Sequence, residues 1–383
     1  MFATSRSEGF RVSNRKKLFS GLMFFCLLAA AGSAAAEKTD HAGQAGKPGK
    51  IDRKVYETYF ALPMDLPPGL EARLVAYNGG EDTARVVIEP AAPLRGERYQ
   101  GILAQGGSKA LRFSWIKPGR LIKLLSTTVQ VDVQILVTDS NAQLIEAFPF
   151  DSEAAERHDY VLPIADSNSA CAAANPGSVA ANTTLYLAST DVVAPDDYQL
   201  AAYSAGGSLL ETQDVPAGLL GASIGIALSA VFEPETLDDT RSVRVISEDE
   251  FTGFGLAEVA PSDVLGILPT VASTFWMIQE ADGWDPEDHT ADLVFYNPGT
   301  VAAPVKIDET EFDVDPGAVV VVPWPGEEAE IDADLPVALF IAHAQTDGCG
   351  VTSRIACNTS RPWSVPDLTG WTDVLVSYTP TPW

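Results

Sequence analysis

From residue 53 onward, apolar and polar residues alternate in short runs broken by Gly, Pro, Asn and Asp. Alternation with a period of two buries one face of a β-strand and wets the other. Ala84, Val86 and Ile88 alternate with Thr83, Arg85 and Val87, and Ala303, Val305 and Ile307 are spaced alike. Long stretches with the 3.6-residue period of a helix are absent. The pattern predicts an all-β chain of antiparallel strands.

One phrase is written twice. Residues 74–88 read LVAYNGGEDTARVVI and residues 293–307 read LVFYNPGTVAAPVKI, matching at eight of fifteen positions. Each copy is an apolar run, a turn of Asn and Gly residues that tolerate positive φ, and an alternating run. Both predict a β-hairpin closed by a tight turn. An apolar-Leu-Pro triplet recurs at Ala61–Pro63, Val161–Pro163 and Ile267–Pro269, followed by turns at Pro118-Gly119, Pro216-Ala217-Gly218 and Pro316-Gly317. The apolar runs LIKLLS, SIGIALSA and VVVVPW follow those turns, and VQILVTDSNAQLIEAF, VRVISEDEFTGFGLAEV and VALFIAHAQTD read as closing strand pairs. Three units of about seven strands follow, over 53–150, 151–260 and 261–383, each the size of an immunoglobulin-like sandwich. Each is long enough for its own core, so the expected picture is three beads on a string. Prolines are expected between strands rather than within them.

The apolar-Leu-Pro triplets, the Asn-Pro-Gly turn, the Pro-Gly turns and FTGFGLAE together resemble tandem Ig-like β-sandwich repeats of secreted bacterial proteins. The resemblance covers nearly all of the chain beyond its first 52 residues. It implies a non-catalytic surface or periplasmic protein, and it carries over no catalytic residue.

The amino-terminal residues fit export. Arg15, Lys16 and Lys17 precede the apolar run LFSGLMFFCLLAA, and Ala34-Ala35-Ala36 offers a small-residue cleavage site, so 1–36 reads as a signal peptide. The polar, Gly-rich segment 37–52 reads as a flexible tether. No later segment is apolar for long enough to span a bilayer as a helix. Of the cysteines beyond the leader, Cys349 and Cys357 are close enough for a local disulfide, while Cys171 is a free thiol or an alternative partner.

Charge narrows the partners. Beyond the leader, 20 basic residues face 51 acidic ones. Residues 37–150 are nearly balanced, with 14 basic and 13 acidic, whereas six basic residues oppose 38 acidic ones from Asp151 onward. Such a surface repels phosphates, which excludes nucleic acid as a partner of the acidic two-thirds. Arg95, Arg98, Lys109, Arg112, Lys117, Arg120 and Lys123 form a basic run against Glu97 alone. An anionic envelope polymer, lipid headgroups or the acidic part of another copy would suit it, and the last predicts salt-sensitive self-association.

Candidate chemistry is sparse. The four histidines, His41, His158, His289 and His343, fall in no metal, esterase or phosphate-loop motif. The segment EADGWDPEDHTAD gathers Asp282, Asp285, Glu287, Asp288 and Asp292 within eleven residues. A flexible loop of carboxylates suits calcium's six to eight oxygen ligands, although the spacing is not that of an EF-hand. Six of the seven tryptophans lie in the last 108 residues. Trp276 and Trp324 are expected in the core, while Trp284 on the acidic loop suits stacking on a sugar ring or a protein partner. The leading expectation is a non-catalytic exported protein for binding, adhesion or spacing, with a cell-surface polymer, glycan or protein as partner. The alternative is a calcium-assisted carbohydrate-binding protein using Trp284 and the acidic loop.

Overall fold

A computed structural model describes residues 55–380, apart from 64–65, 79, 92–95, 97, 113–118, 139–143, 151–156, 165–177, 191–195, 261–262, 268–271, 280–288, 325–328, 346–350, 354 and 358–374. The expected fold class holds at the level of secondary structure: the described chain is nearly all β, in several antiparallel sheets. Its helical content is a 3₁₀ turn at Leu228–Ala230 and one short helix, α1 (Pro234–Asp239), which opens on a proline whose missing N–H costs nothing there. Among the described residues no helix is long and apolar enough to cross a membrane.

The first eight strands make two four-stranded sheets. β1 (Val55–Ala61), β2 (Glu71–Tyr77), β3 (Ala84–Pro90), β4 (Tyr99–Leu103), β5 (Ser108–Arg112), β6 (Leu121–Thr127), β7 (Asp132–Thr138) and β8 (Leu144–Phe150) pair in the orders β1-β6-β3-β4 and β5-β2-β7-β8. Leu74 and Ala76 from one sheet meet Val86, Ile88 and Leu124 from the other in a single buried cluster. The alternation read from the sequence is therefore the burial pattern of β3, with Ala84, Val86 and Ile88 buried and Arg85 exposed.

The same pairing order recurs. β9 (Arg157–Pro163), β10 (Thr183–Ser189), β11 (Tyr198–Ser204), β12 (Leu209–Val215), β13 (Ile224–Ala227), β14 (Thr240–Ala260) and β15 (Asp263–Ile267) form a seven-stranded sheet. Residues 240–246 of β14 pair with β11 and, from Ser242, with β9, which also meets Phe251, whereas residues 251–260 pair with β10 and β15. The orders are thus β9-β14-β11-β12 and β13-β10-β14-β15, with one long strand standing where β6 and β7 stood. β16 (Ala272–Gln279), β17 (His289–Tyr296), β18 (Ala303–Ile307), β19 (Thr310–Val314), β20 (Val319–Pro323), β21 (Ala329–Gln345) and β22 (Val351–Ser353) repeat this as β16-β21-β18-β19 and β20-β17-β21-β22. β23 (Ile355–Cys357) and β24 (Leu375–Pro380) extend the last set beside β16.

Several expectations are corrected. The repeated phrase is not a hairpin: β2 and β3 lie in different sheets, and β17 and β18 pair with different stretches of β21. The turn is an arch that carries the chain from one sheet to the other. Segments 240–260 and 329–345 are single strands rather than closing pairs. The triplets do not occupy one place: Val161–Pro163 closes β9, Ala61 is the last residue of β1, and Ile267 is the last residue of β15, with Leu268 and Pro269 outside the described residues. Because β15 pairs with β14, residues 263–267 join the second set rather than the third. Pro149, Pro304 and Pro336 do lie within strands. Among the described strands β8 pairs with β7 alone, β21 joins β18 from Val305 onward, and Pro336 sits where the β16–β21 register shifts, the edge and bulge positions where a strand tolerates proline.

The beads-on-a-string picture also fails, since residues 51–383 cluster as one compact unit. Tyr186, Ala188, Phe254 and Leu256 join the cluster built by β1, β2, β3, β6 and β7. Ser223 Oγ donates to the Leu62 carbonyl at 2.5 Å and Leu121 N to the Gly221 carbonyl at 3.0 Å. Val319 N donates to the Ala205 carbonyl at 2.9 Å, and Val161 packs on Val294, Tyr296, Val319 and Ala338.

Candidate functional site

The shared tripeptide positions of the repeated phrase are spent on structure. Asn78 and Asn297 are buried directly after β2 and β17. Asn78 Nδ2 donates to the carbonyls of Asp82 at 2.8 Å and Leu103 at 2.9 Å, and its Oδ1 accepts from Gly80 N at 3.1 Å. Asn297 Nδ2 donates to Val301 at 2.8 Å and Val314 at 2.7 Å, and its Oδ1 accepts from Gly299 N at 2.7 Å. The backbone repeats as well: Gly106 N reaches the Asn78 carbonyl and Gly317 N the Asn297 carbonyl, both at 2.8 Å. Gly106 and Gly317 share φ of +69°. Gly106, not the Gly119 singled out by the Pro-Gly pattern, is therefore the counterpart of Gly317, and β5, not the LIKLLS strand β6, is the counterpart of β20. Ser189 stands at the matching place in the second set, bonded to the Glu250 carbonyl at 3.5 Å. A buried amide bonded in this way fixes an arch.

Of the acidic-loop residues, Asp292 alone lies among those described; Asp282, Trp284, Asp285, Glu287 and Asp288 lie outside them. Asp292 is in β17, opposite Pro323 on one side and Ala342 on the other. It is half-buried, and burial pushes its carboxyl above the usual range because the charged form loses water. Among the described residues no three His, Cys, Asp or Glu side chains gather as a metal site. Trp324 is buried with Leu293 and Phe295, as expected for the core. The side chain of Trp276, together with Cys171, Cys349 and the side chain of Cys357, falls outside the described residues.

The histidines are partly brought together. His289 pairs with Gln345 and His343 with Ala291, which sets the two diagonally on neighbouring strands, with backbones about 7–8 Å apart. His158 is exposed on β9.

Of the basic run, Arg98, Lys109, Arg120 and Lys123 have described side chains. Arg98 meets Glu89 at 3.1 Å beside β4, and Lys109 stands on edge strand β5, its Nζ 5.7 Å from the centre of the Tyr99 ring. Lys123 binds Glu57, which also accepts from the Tyr59 hydroxyl. Burial alone would raise the Glu57 carboxyl, but the hydrogen bonds from Lys123 and Tyr59 outweigh it and hold the carboxyl below its usual value. Arg120 is half-buried and its backbone bridges to Ala222. Arg95, Lys117 and the Arg112 side chain lie outside the described residues.

A second polar cluster escaped the sequence reading. Arg244 Nε donates to Asp159 Oδ1 at 2.9 Å and Nη2 to Oδ2, a bidentate pair across the β9–β14 ladder. Its neighbour Tyr296 is pushed up to about 12, chiefly by burial. The only sequence trace of this pair is that Arg244 is one of six cations in the acidic region; which carboxylate it meets depends on register.

No family model matches this chain, and no curated protein or solved structure matches it.

Proposed function

We propose that the chain is an exported, non-catalytic protein built from three tandem Ig-like β-sandwich modules, acting at the cell surface or in the periplasm by binding. The observation that carries this reading is the recurrence of one strand order with one buried-asparagine arch, in which the most distinctive polar residues serve the scaffold. A scaffold of this kind presents loops and sheet edges, and a surface rich in carboxylates keeps it soluble outside the cell. Its partners are a surface polymer, a glycan or a protein. Within the original choice of binding, adhesion or spacing, the packing of Tyr186 and Phe254 against the first set's core favours binding by a rigid head over extended spacing. The test is retention of the purified mature chain on a glycan array and its co-sedimentation with purified envelope polymers. Retention by one class supports the reading; failure to bind any of them excludes glycan and polymer partners, and failure also to retain a protein from the envelope fraction overturns it.

A specific observation favours a second reading, calcium-assisted carbohydrate binding by the third module. Asp292 carries a half-buried carboxylate with a raised pKa at the end of the acidic segment, a group that a cation would return to its ordinary range. Asp282, Asp285, Glu287 and Asp288 would complete the oxygen set and Trp284 would face the sugar. Millimolar calcium should then raise the melting temperature, and the rise should vanish in an Asp285→Asn/Asp288→Asn variant. An identical shift in both proteins would exclude the site.

A further inference from the structure

The two internal contacts described above use the same surface. Tyr77, Ala188 and Tyr296 stand directly before Asn78, Ser189 and Asn297, and Val75, Tyr186 and Val294 stand two residues further back. All six are buried, yet none points into the core of its own set: their neighbours Leu74 and Ala76, Leu185 and Leu187, and Leu293 and Phe295 do that. They form the outer face of the β2, β10 and β17 sheets. In the second set this face is covered by the first, through β1. In the third set it is covered by the second, through Val161 of β9. In the first set Val75 is 0% exposed, Tyr77 6% and Leu136, across from Arg73 on the same face, 2%. Something covers them too.

We infer that the third set covers this face, so that residues 55–380 close into a ring of three sandwiches through one contact used three times. This rests on the three-module reading. Three observations select the occupant. β8, a strand of the same sheet as Val75 and Leu136, lies against β22 and β23 of the third set. The counterpart of the covering strands β1 and β9 is β16, whose neighbour β24 leads to β23. The face also carries Arg73, whose Nε is buried without a hydrogen-bond partner among the described residues, and residues 272–380 hold three basic residues against nineteen acidic ones. β15 touches both β8 and β22, so the last strands of the three second sheets meet, as they do about a threefold axis. A single chain thereby has the closure of a cyclic trimer, with no end face left for open-ended stacking.

Small-angle X-ray scattering on the monomeric mature chain, with carbodiimide cross-linking and mass spectrometry, tests this. A closed ring gives a radius of gyration of about 20 Å for this length and cross-links from residues 55–150 to residues 272–380. A radius of roughly 25 Å or more, beyond the compact-chain rule, with cross-links confined to neighbouring sets, overturns it. In Leu136→Asp, an enlarged radius with an unchanged β circular-dichroism signal confirms that the third set is the cover; an unchanged radius with an unchanged signal refutes it. If the variant fails to fold, the scattering and cross-links of the unaltered chain decide. Envelope binding is measured separately, so an open row leaves the binding reading standing, and a closed ring that binds nothing refutes that reading alone.

Discussion

Asn78 spends its side chain on four hydrogen bonds and Asn297 on three, each set holding an arch. Replacing either by Ala strands a buried carbonyl, that of Leu103 or Val314, so each substitution should cost about 1–3 kcal/mol. Urea denaturation of Asn78→Ala and Asn297→Ala checks this; a loss under about 0.5 kcal/mol, the scale of ordinary surface changes, would show that water replaces the amide. Asp292 gives a pH-dependent counterpart. Its folded pKa lies above the unfolded one, so the protonated form favours folding below the unfolded value of 3.8, and that advantage is lost as pH rises through the folded value. Asp292→Asn should therefore melt higher than the parent at pH 7 and no higher at pH 3. Glu57 has the opposite sign: its lowered pKa stabilises above the unfolded value of 4.5 and is lost as pH falls through the folded one.

At the scale of elements, the fused strands β14 and β21 decide how the two sheets of a set are held. β14 passes from one sheet to the other between Ile246 and Phe251, where its register against β9 shifts. Phe251 stacks edge-on with Tyr160 and Tyr198 at 4.8 and 5.3 Å, so the crossing point is also the centre of the core. Two residues on, Gly253 lets β10 approach: a Cβ there would lie 2.5 Å from Leu187 Cδ2 and 2.8 Å from the Tyr186 carbonyl. Gly253→Ala should lower stability by about 1–3 kcal/mol through overpacking, read as an earlier urea midpoint. An unchanged midpoint would mean that β10 moves aside freely.

Across the whole molecule, charge opposes compaction. With 51 acidic residues against 20 basic ones beyond residue 36, like charges repel over the acidic two-thirds. Salt shortens that repulsion to a few ångströms, so melting should move upward between 50 mM and 1 M sodium chloride. The same salt should weaken any association between basic side chains of one copy and acidic side chains of another, lowering the apparent mass in gel filtration. A mass that does not fall with salt removes electrostatic self-association. Glycine at 207 marks the internal contact that these charges work against, since its φ is +75° and a Cβ would meet the Pro316 carbonyl at 2.6 Å.

By itself the sequence determined the β class, the buried rows Ala84-Val86-Ile88 and Ala303-Val305-Ile307, the core place of Trp324 and the kinship of two distant turns. Those features are local: side-chain alternation and turn chemistry act within a few residues, where composition is enough to read them. Only the tertiary structure decided that the turns are arches between sheets, that Gly106 answers to Gly317, that β6 and β7 fuse in the later sets, and that Arg244 finds Asp159. Each depends on which strand lies beside which, and a hairpin and an arch present the same alternating apolar rows to a reader of the chain. The outward Tyr77, Ala188 and Tyr296 show the limit most plainly: an apolar residue on the far face of a strand acquires a meaning only when another sheet arrives to cover it.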